Sequence, residues 1–262
     1  MTDLGLIPLG TLVLAALLVG VSKTAVSGVG ALSVALFAAV LPARESTGAL
    51  LPLLLVGDVL AVRAYRRHTD WPALLRLLPS VAAGILLGVV FVAATGDTVI
   101  RRTIGALLLT IVLHHLWQRA RRRGVPDVAS APPAPGRDSA AATGRQPHAR
   151  ALFFGLVAGF ATMVANAGGP AMSLYLLSSG FTVLGFLGTG AWFFLLVNLV
   201  KLPFSIALGL VTADALALDA ALALAVLVGA VIGRAGVQRI DQTLFERLVL
   251  LFTALSGLNL LR

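Results

Sequence analysis

Twice in this chain a glycine-rich stretch cuts into an apolar run: Gly20-Val-Ser-Lys-Thr-Ala-Val-Ser-Gly-Val-Gly30, and Gly159-Phe-Ala-Thr-Met-Val-Ala-Asn-Ala-Gly-Gly-Pro170. Glycine and proline are the poorest residues for a helix interior, so neither stretch is expected to form one continuous helix. The flanking runs repeatedly approach the ~20 residues that span a bilayer. With 58% apolar residues, 12% charged residues and a mean hydropathy of +0.97, the chain reads as a polytopic helical membrane protein. Inside a membrane, non-helical backbone is tolerated only where it is buried in protein or lines a cavity. Two such interruptions at corresponding places in two halves point to a transporter's binding site.

Apolar runs between charged or Gly/Pro punctuation give ten segments, at 4–20, 31–41, 46–62, 73–95, 100–118, 151–165, 170–181, 184–209, 216–233 and 243–261. The expected fold is an all-α membrane bundle of two five-segment repeats, residues 1–118 and 151–262, with a short or broken helix at the start of each. The Arg- and Pro-rich stretch 119–150 between them has no apolar periodicity and reads as a disordered linker. An odd number of crossings per half inserts the second repeat upside down relative to the first. An offset of 140 pairs Gly28 with Gly168, Ser33 with Ser173, Gly48 with Gly188 and Asp58 with Asn198. The shared order of elements supports the repeat better than these few identities do.

The net charge of +9 would suggest nucleic acid in a soluble domain, but here the basic residues fall in loops, as topology determinants do. No nucleic-acid partner is expected. With the linker in the cytoplasm, fourteen basic residues lie inside and five outside (Arg44, Arg101, Arg102, Lys201 and Arg262). Both termini are then periplasmic. Met1-Thr-Asp-Leu lacks a positive n-region, so the first apolar run reads as a retained helix. There is no Cys, hence no disulfide or thiolate chemistry.

Segments 31–41 and 170–181 are short for a span and are expected to begin at mid-depth, directly after each break. Their N-termini would carry unpaired N–H groups and a positive partial charge, which suits an anion. Pro170 fits the first turn, where its missing N–H is no loss. Gly28, Gly30, Gly168 and Gly169 allow close approach of backbone to a ligand, and Ser27, Ser33, Asn166 and Ser173 can add hydrogen bonds. The competing reading makes these glycines contacts for tight helix packing. Lys23, inside the first break, can neutralise a bound anion or snorkel to the interface. Asp58, far from either polar flank, can carry a coupling proton or serve structure; its counterpart Asn198 cannot titrate but can line the site. Lys201, before Leu202-Pro203, reads as an interface anchor, with Pro203 kinking its helix. His114 and His115 beside Trp117 read as a surface anchor. The segments offer no metal-ligand cluster and the chain no nucleotide or catalytic motif, so neither enzyme activity nor a cofactor is expected.

On Gly28-Val-Gly30, Gly168-Gly-Pro170, the basic stretch Arg63-Ala-Tyr-Arg-Arg-His68 and Asn198-Leu-Val-Lys-Leu-Pro203, the chain resembles the TauE/SafE sulfite exporter family over nearly its whole length outside the linker. It departs from the family's pattern in having fewer glycines in both breaks: Ala31 follows Gly30, and Asn166 precedes Ala167-Gly168. The resemblance implies a bacterial inner-membrane carrier exporting sulfite, sulfonates or related sulfur oxyanions. Its partners would be a small anion and the lipid bilayer, with proton coupling through Asp58 and self-association both compatible. Rival expectations are a cation or neutral-solute carrier of the same architecture, and a membrane scaffold that transports nothing.

Overall fold

The computed structural model describes residues 5–24, 29–122, 148–178, 181 and 183–236, and beyond them only 251, 254, 255, 258 and 261. Among the described residues the fold is all-helical: α1 Leu6–Thr24, α2 Gly30–Val40, α3 Ala43–Tyr65, α4 Trp71–Ala94, α5 Asp97–Arg122, α6 His148–Ala165, α7 Gly169–Ser178, α8 Val183–Ala207 and α9 Ala213–Gly236. The expected tenth segment and most of the linker lie outside the described residues. Among the described residues, five helices are long and apolar enough to cross a membrane. By contrast α2 and α7, with 11 and 10 residues, are only about 15 Å long, half of a ~30 Å hydrocarbon core.

Local chemistry sets the helix ends. The Asp70 side chain accepts a hydrogen bond from the Ala73 N–H (3.0 Å) and Pro72 sits in the first turn, so α4 starts at Trp71. Gly209, at φ +68°, ends α8 by letting the Leu210 N–H turn back to the Ser205 carbonyl (2.9 Å). Before that, α8 runs through Pro203 without ending. Helix α5 carries on through Arg122, four residues past the expected end of its segment at 118.

The opening glycine of each interrupted stretch does not break its helix. A Cβ on Gly20 would collide with the Val226 carbonyl of α9, and one on Gly159 with the Val81 carbonyl of α4. Gly229 faces the Leu17 carbonyl and Gly84 the Leu156 carbonyl in the same way. At these glycines α1 lies backbone-to-backbone on α9, and α6 on α4. The first helix of each half thus packs on the fourth helix of the other.

A second reciprocal contact joins the halves at their centre. Helices α3 and α8 pack together. Gly48 of α3 lies against the Leu210 carbonyl beyond α8, while Gly188 of α8 lies 2.8 Å (Cβ position) from the Tyr65 carbonyl at the end of α3. Thr189 accepts from the Asp70 N–H (2.9 Å) in that second contact. Core residues such as Phe37, Leu50, Tyr175 and Phe193 fill the interior, whereas Val90, Leu113, Leu224 and Val231 are exposed on the outer faces, as a lipid-facing surface requires.

Candidate functional site

The second break is short and chemically specified. There Asn166 takes a left-handed conformation (φ 51°), which asparagine tolerates better than most residues. Its N–H returns to the Thr162 carbonyl (3.0 Å) and that of Ala167 to the Ala161 carbonyl (3.2 Å), which terminates α6. The Gly168 carbonyl then accepts from the Met172 N–H (3.2 Å), starting α7 with Pro170 in its first turn. At the first, whose residues 25–28 lie outside the described residues, the described part of α1 reaches Thr24, whose hydroxyl donates to the Gly20 and Ala230 carbonyls (2.9 and 3.2 Å). The Thr24 carbonyl accepts from the Tyr65 hydroxyl (3.0 Å). Helix α2 resumes at Gly30. Ser27 and Gly28 lie outside the described residues.

Both breaks open onto one cavity of about 120 Å³. A buried water needs roughly 10–15 Å³ by the same measure, so the space suits a small polyatomic solute. Gly30 and Ala31 from the start of α2 face it, as do Asn166, Gly169, Pro170 and Ser173 around the start of α7. Helices α3 and α8 supply its remaining polar wall through Asp58 and Asn198, and α1 supplies Lys23.

A charged chain of contacts runs across this wall. Asp58 is fully buried, with Lys23 Nζ 2.6 Å from Oδ1 and Asn198 Nδ2 donating to Oδ2 at 2.6 Å. Lys23 Nζ also lies 4.4 Å above the Phe194 ring, a cation–π contact that adds to the ion pair. One turn beyond Asn198, Lys201 is fully buried and donates to the Thr162 carbonyl (2.6 Å) and to Asn166 Oδ1 (2.5 Å). An ammonium at the C-terminal end of α6 meets the negative end of that helix. It fixes the backbone from which α7 begins. Asn166 Nδ2 in turn donates to the Thr47 carbonyl (3.0 Å), joining the break to α3.

The two central helices face the cavity with equivalent stripes. Leu54, Asp58 and Ala61 of α3 line it at i, i+4 and i+7. Phe194 and Asn198 of α8 line it at the matching positions, and Lys201, the third member, sits directly behind. Geometrically equivalent rows therefore carry different chemistry: a carboxylate against an amide, and an alanine against a buried ammonium.

Of the residues singled out in the sequence, Lys23, Gly30, Asp58, Asn166, Gly169, Pro170, Ser173 and Asn198 border the cavity. Ser33 does not: it is buried with its hydroxyl unpartnered. Gly168 also stands aside, its Cβ position 2.9 Å from the Ala158 carbonyl and 3.0 Å from Thr162 Cβ, so the packing reading holds for this glycine. Gly169 has only Phe194 Cζ near, at 4.0 Å, and opens to the cavity. The interface-anchor reading of Lys201 is overturned, because the side chain points inward and caps the second break. Phe194 was missed and Lys201 was placed at the interface, yet both stand at helical spacing from Asn198 (i−4 and i+3), a signal the sequence carried.

The cavity wall thus brings together one ammonium and one carboxylate, with a second ammonium directly behind it and the starts of two half-length helices beside it. The family model described as sulfite exporter TauE/SafE matches residues 12–260. No curated protein and no solved structure matches the chain.

Proposed function

This chain belongs to the TauE/SafE sulfite exporter family, and we propose that it exports sulfite, organosulfonates or related small sulfur oxyanions across the bacterial inner membrane, holding the anion in the cavity between the two breaks. The observation that carries the reading is the convergence of Lys23, Gly30, Asn166 and Gly169 on that one cavity. Half-length helices that start there offer amide N–H groups to an anion at mid-membrane depth. The cation-carrier alternative is less well served, since both Asp58 oxygens already face donors.

Ten segments in two inverted repeats accommodate the reciprocal contacts of α1 with α9, α6 with α4, and α3 with α8. In this architecture alternating access is a rocking of two bodies about the site. Because α9 is locked to α1 and α4 to α6 at glycines, each body comprises the first three helices of one half and the fourth of the other. The α3–α8 contact is then the surface across which they move.

At an inside-negative potential of 100 mV, export of a monovalent anion is favoured by about 2.3 kcal/mol. Uniport is therefore sufficient, and a proton on Asp58 would be an additional coupling. The cytoplasmic side takes the 119–150 linker. Burial of Lys201 removes it from the five basic residues counted outside, leaving four against fourteen inside and strengthening this orientation.

Purified full-length protein in proteoliposomes tests the reading. Sulfite or sulfonate loaded on the cytoplasmic side should leave faster than from protein-free vesicles, and faster still when that side is made negative. Flux equal to that of empty vesicles would favour the scaffold alternative.

A further inference from the structure

Within the sulfur-oxyanion reading, on which this inference rests, the charges around the cavity select among anions. Among the described residues the charged side chains lining the cavity are Lys23 and Asp58, and Lys201 stands directly behind its wall. Lys23 and Asp58 are paired with each other at 2.6 Å. Lys201 is buried on neutral acceptors, the Thr162 carbonyl and the Asn166 amide oxygen. The backbone adds little net charge, because each break joins a helix C-terminus to a helix N-terminus and their partial charges, about −0.5 and +0.5, offset. The two ends differ in access, however. The carbonyls of Thr24 and Thr162 accept from Tyr65 and Lys201, while Gly30 and Gly169, at the starts of α2 and α7, line the cavity. The side chains thus leave one uncompensated positive charge in a buried setting.

We propose that the cavity is matched to a singly charged oxyanion, hydrogensulfite or a sulfonate, over a dianion such as sulfate, and that Lys201 is the positioning residue that sets this preference. A monoanion brings the buried charge to zero. A dianion leaves one negative charge in surroundings that cannot solvate it, which is strongly unfavourable. Lys201 contributes twice: its charge completes the sum, and its bonds to Thr162 and Asn166 hold the backbone where α7 starts. The position on α3 equivalent to Lys201 is Ala61, so the charge comes from one repeat only.

The test titrates detergent-solubilised full-length protein, at matched ionic strength, with methanesulfonate, with sulfite buffered where hydrogensulfite dominates, and with sulfate. The intact protein should bind at least one of the two monoanions about tenfold or more tighter than sulfate. Asp58→Asn raises the count by one and should shift the ratio about tenfold towards sulfate. Lys201→Met lowers the count to zero and should weaken all three. The Lys201→Met/Asp58→Asn double variant returns the count to one and should recover the monoanion preference, a rescue that a purely structural role for Lys201 would not produce. Should Lys201→Met fail to fold, the Asp58→Asn ratio decides alone. Equal affinity for sulfate and the monoanions, or a ratio unmoved by Asp58→Asn, overturns the charge-matching proposal and leaves the sulfur-oxyanion reading standing. Binding of none of the three overturns both.

Discussion

Asp58 and Asn198 stand 140 residues apart in the sequence and are hydrogen-bonded directly to one another, Nδ2 to Oδ2, at 2.6 Å. The same offset relates Leu54 to Phe194 and Ala61 to Lys201 on the helices that carry them. The two rows adjoin at the cavity wall, and they meet where their chemistry differs. The carboxylate of one row is held by the amide of the other and by Lys23 from α1.

Breaking this arrangement from one side should cost more than removing it whole. Lys23→Met leaves Asp58 buried without its ammonium and should destabilise the protein by about 3–5 kcal/mol, if the variant folds at all. Lys23→Met/Asp58→Asn removes both charges and should recover most of that loss in a melting experiment, while transport stays low for want of Lys23. Additive stability losses in the double-mutant cycle would contradict a tight buried pair.

The adjacent glycines of the second break should respond oppositely. Gly168→Ala places a methyl 2.9 Å from the Ala158 carbonyl and 3.0 Å from Thr162 Cβ, and should lower stability by about 1–3 kcal/mol. Gly169→Ala meets nothing closer than 4.0 Å and should melt like the parent protein or slightly above it. Its methyl faces the cavity, so anion flux should fall. Thermal melts and flux measured on both variants check the contrast.

The native chain has no cysteine, so engineered pairs report cleanly on which surfaces move. A disulfide between facing turns of α1 around Leu17 and α9 around Gly229 should leave transport intact, because these helices travel together. A disulfide joining His68→Cys to Gly188→Cys, whose backbones touch between the α3 end and α8, should stop transport until it is reduced. Loss of transport with both disulfides would show that the sequence halves, rather than the exchanged bodies, are the moving parts.

Much of this was legible in the residues. Hydrophobic run length and Gly/Pro punctuation placed the nine described α-helices to within a few residues, and the second break fell at Asn166, where asparagine tolerates the left-handed backbone. What escaped notice came from packing between distant elements. Whether Gly20 and Gly159 end a helix or let another backbone approach depends on a partner helix whose contact residues Val226 and Val81 are 206 and 78 residues away, which local composition does not encode. Lys201 looked like an anchor because a lysine near a proline at the end of an apolar run usually reaches for the interface. Its actual acceptors, the Thr162 carbonyl and Asn166, come from another helix's terminus. The exchange of α4 and α9 between halves was likewise invisible to a count of segments.

The proposed orientation of the bundle rests on where the basic residues fall, and it is checked from outside. A cysteine at Ser139, within the 119–150 linker, should react with a membrane-impermeant maleimide in inside-out vesicles and stay unlabelled in intact spheroplasts. Labelling in spheroplasts would invert the assigned topology and, with it, the direction in which the membrane potential drives the anion.

The most direct measurement locates the anion itself. Selenite, a close chemical analogue of sulfite, can be bound to crystals of the full-length protein and its selenium found by anomalous scattering. The account predicts a single strong peak in the cavity, among Lys23 Nζ, the start of α2 at Gly30 and the start of α7 at Gly169. A peak elsewhere at saturating selenite, or both stretches seen as unbroken helices, would contradict it.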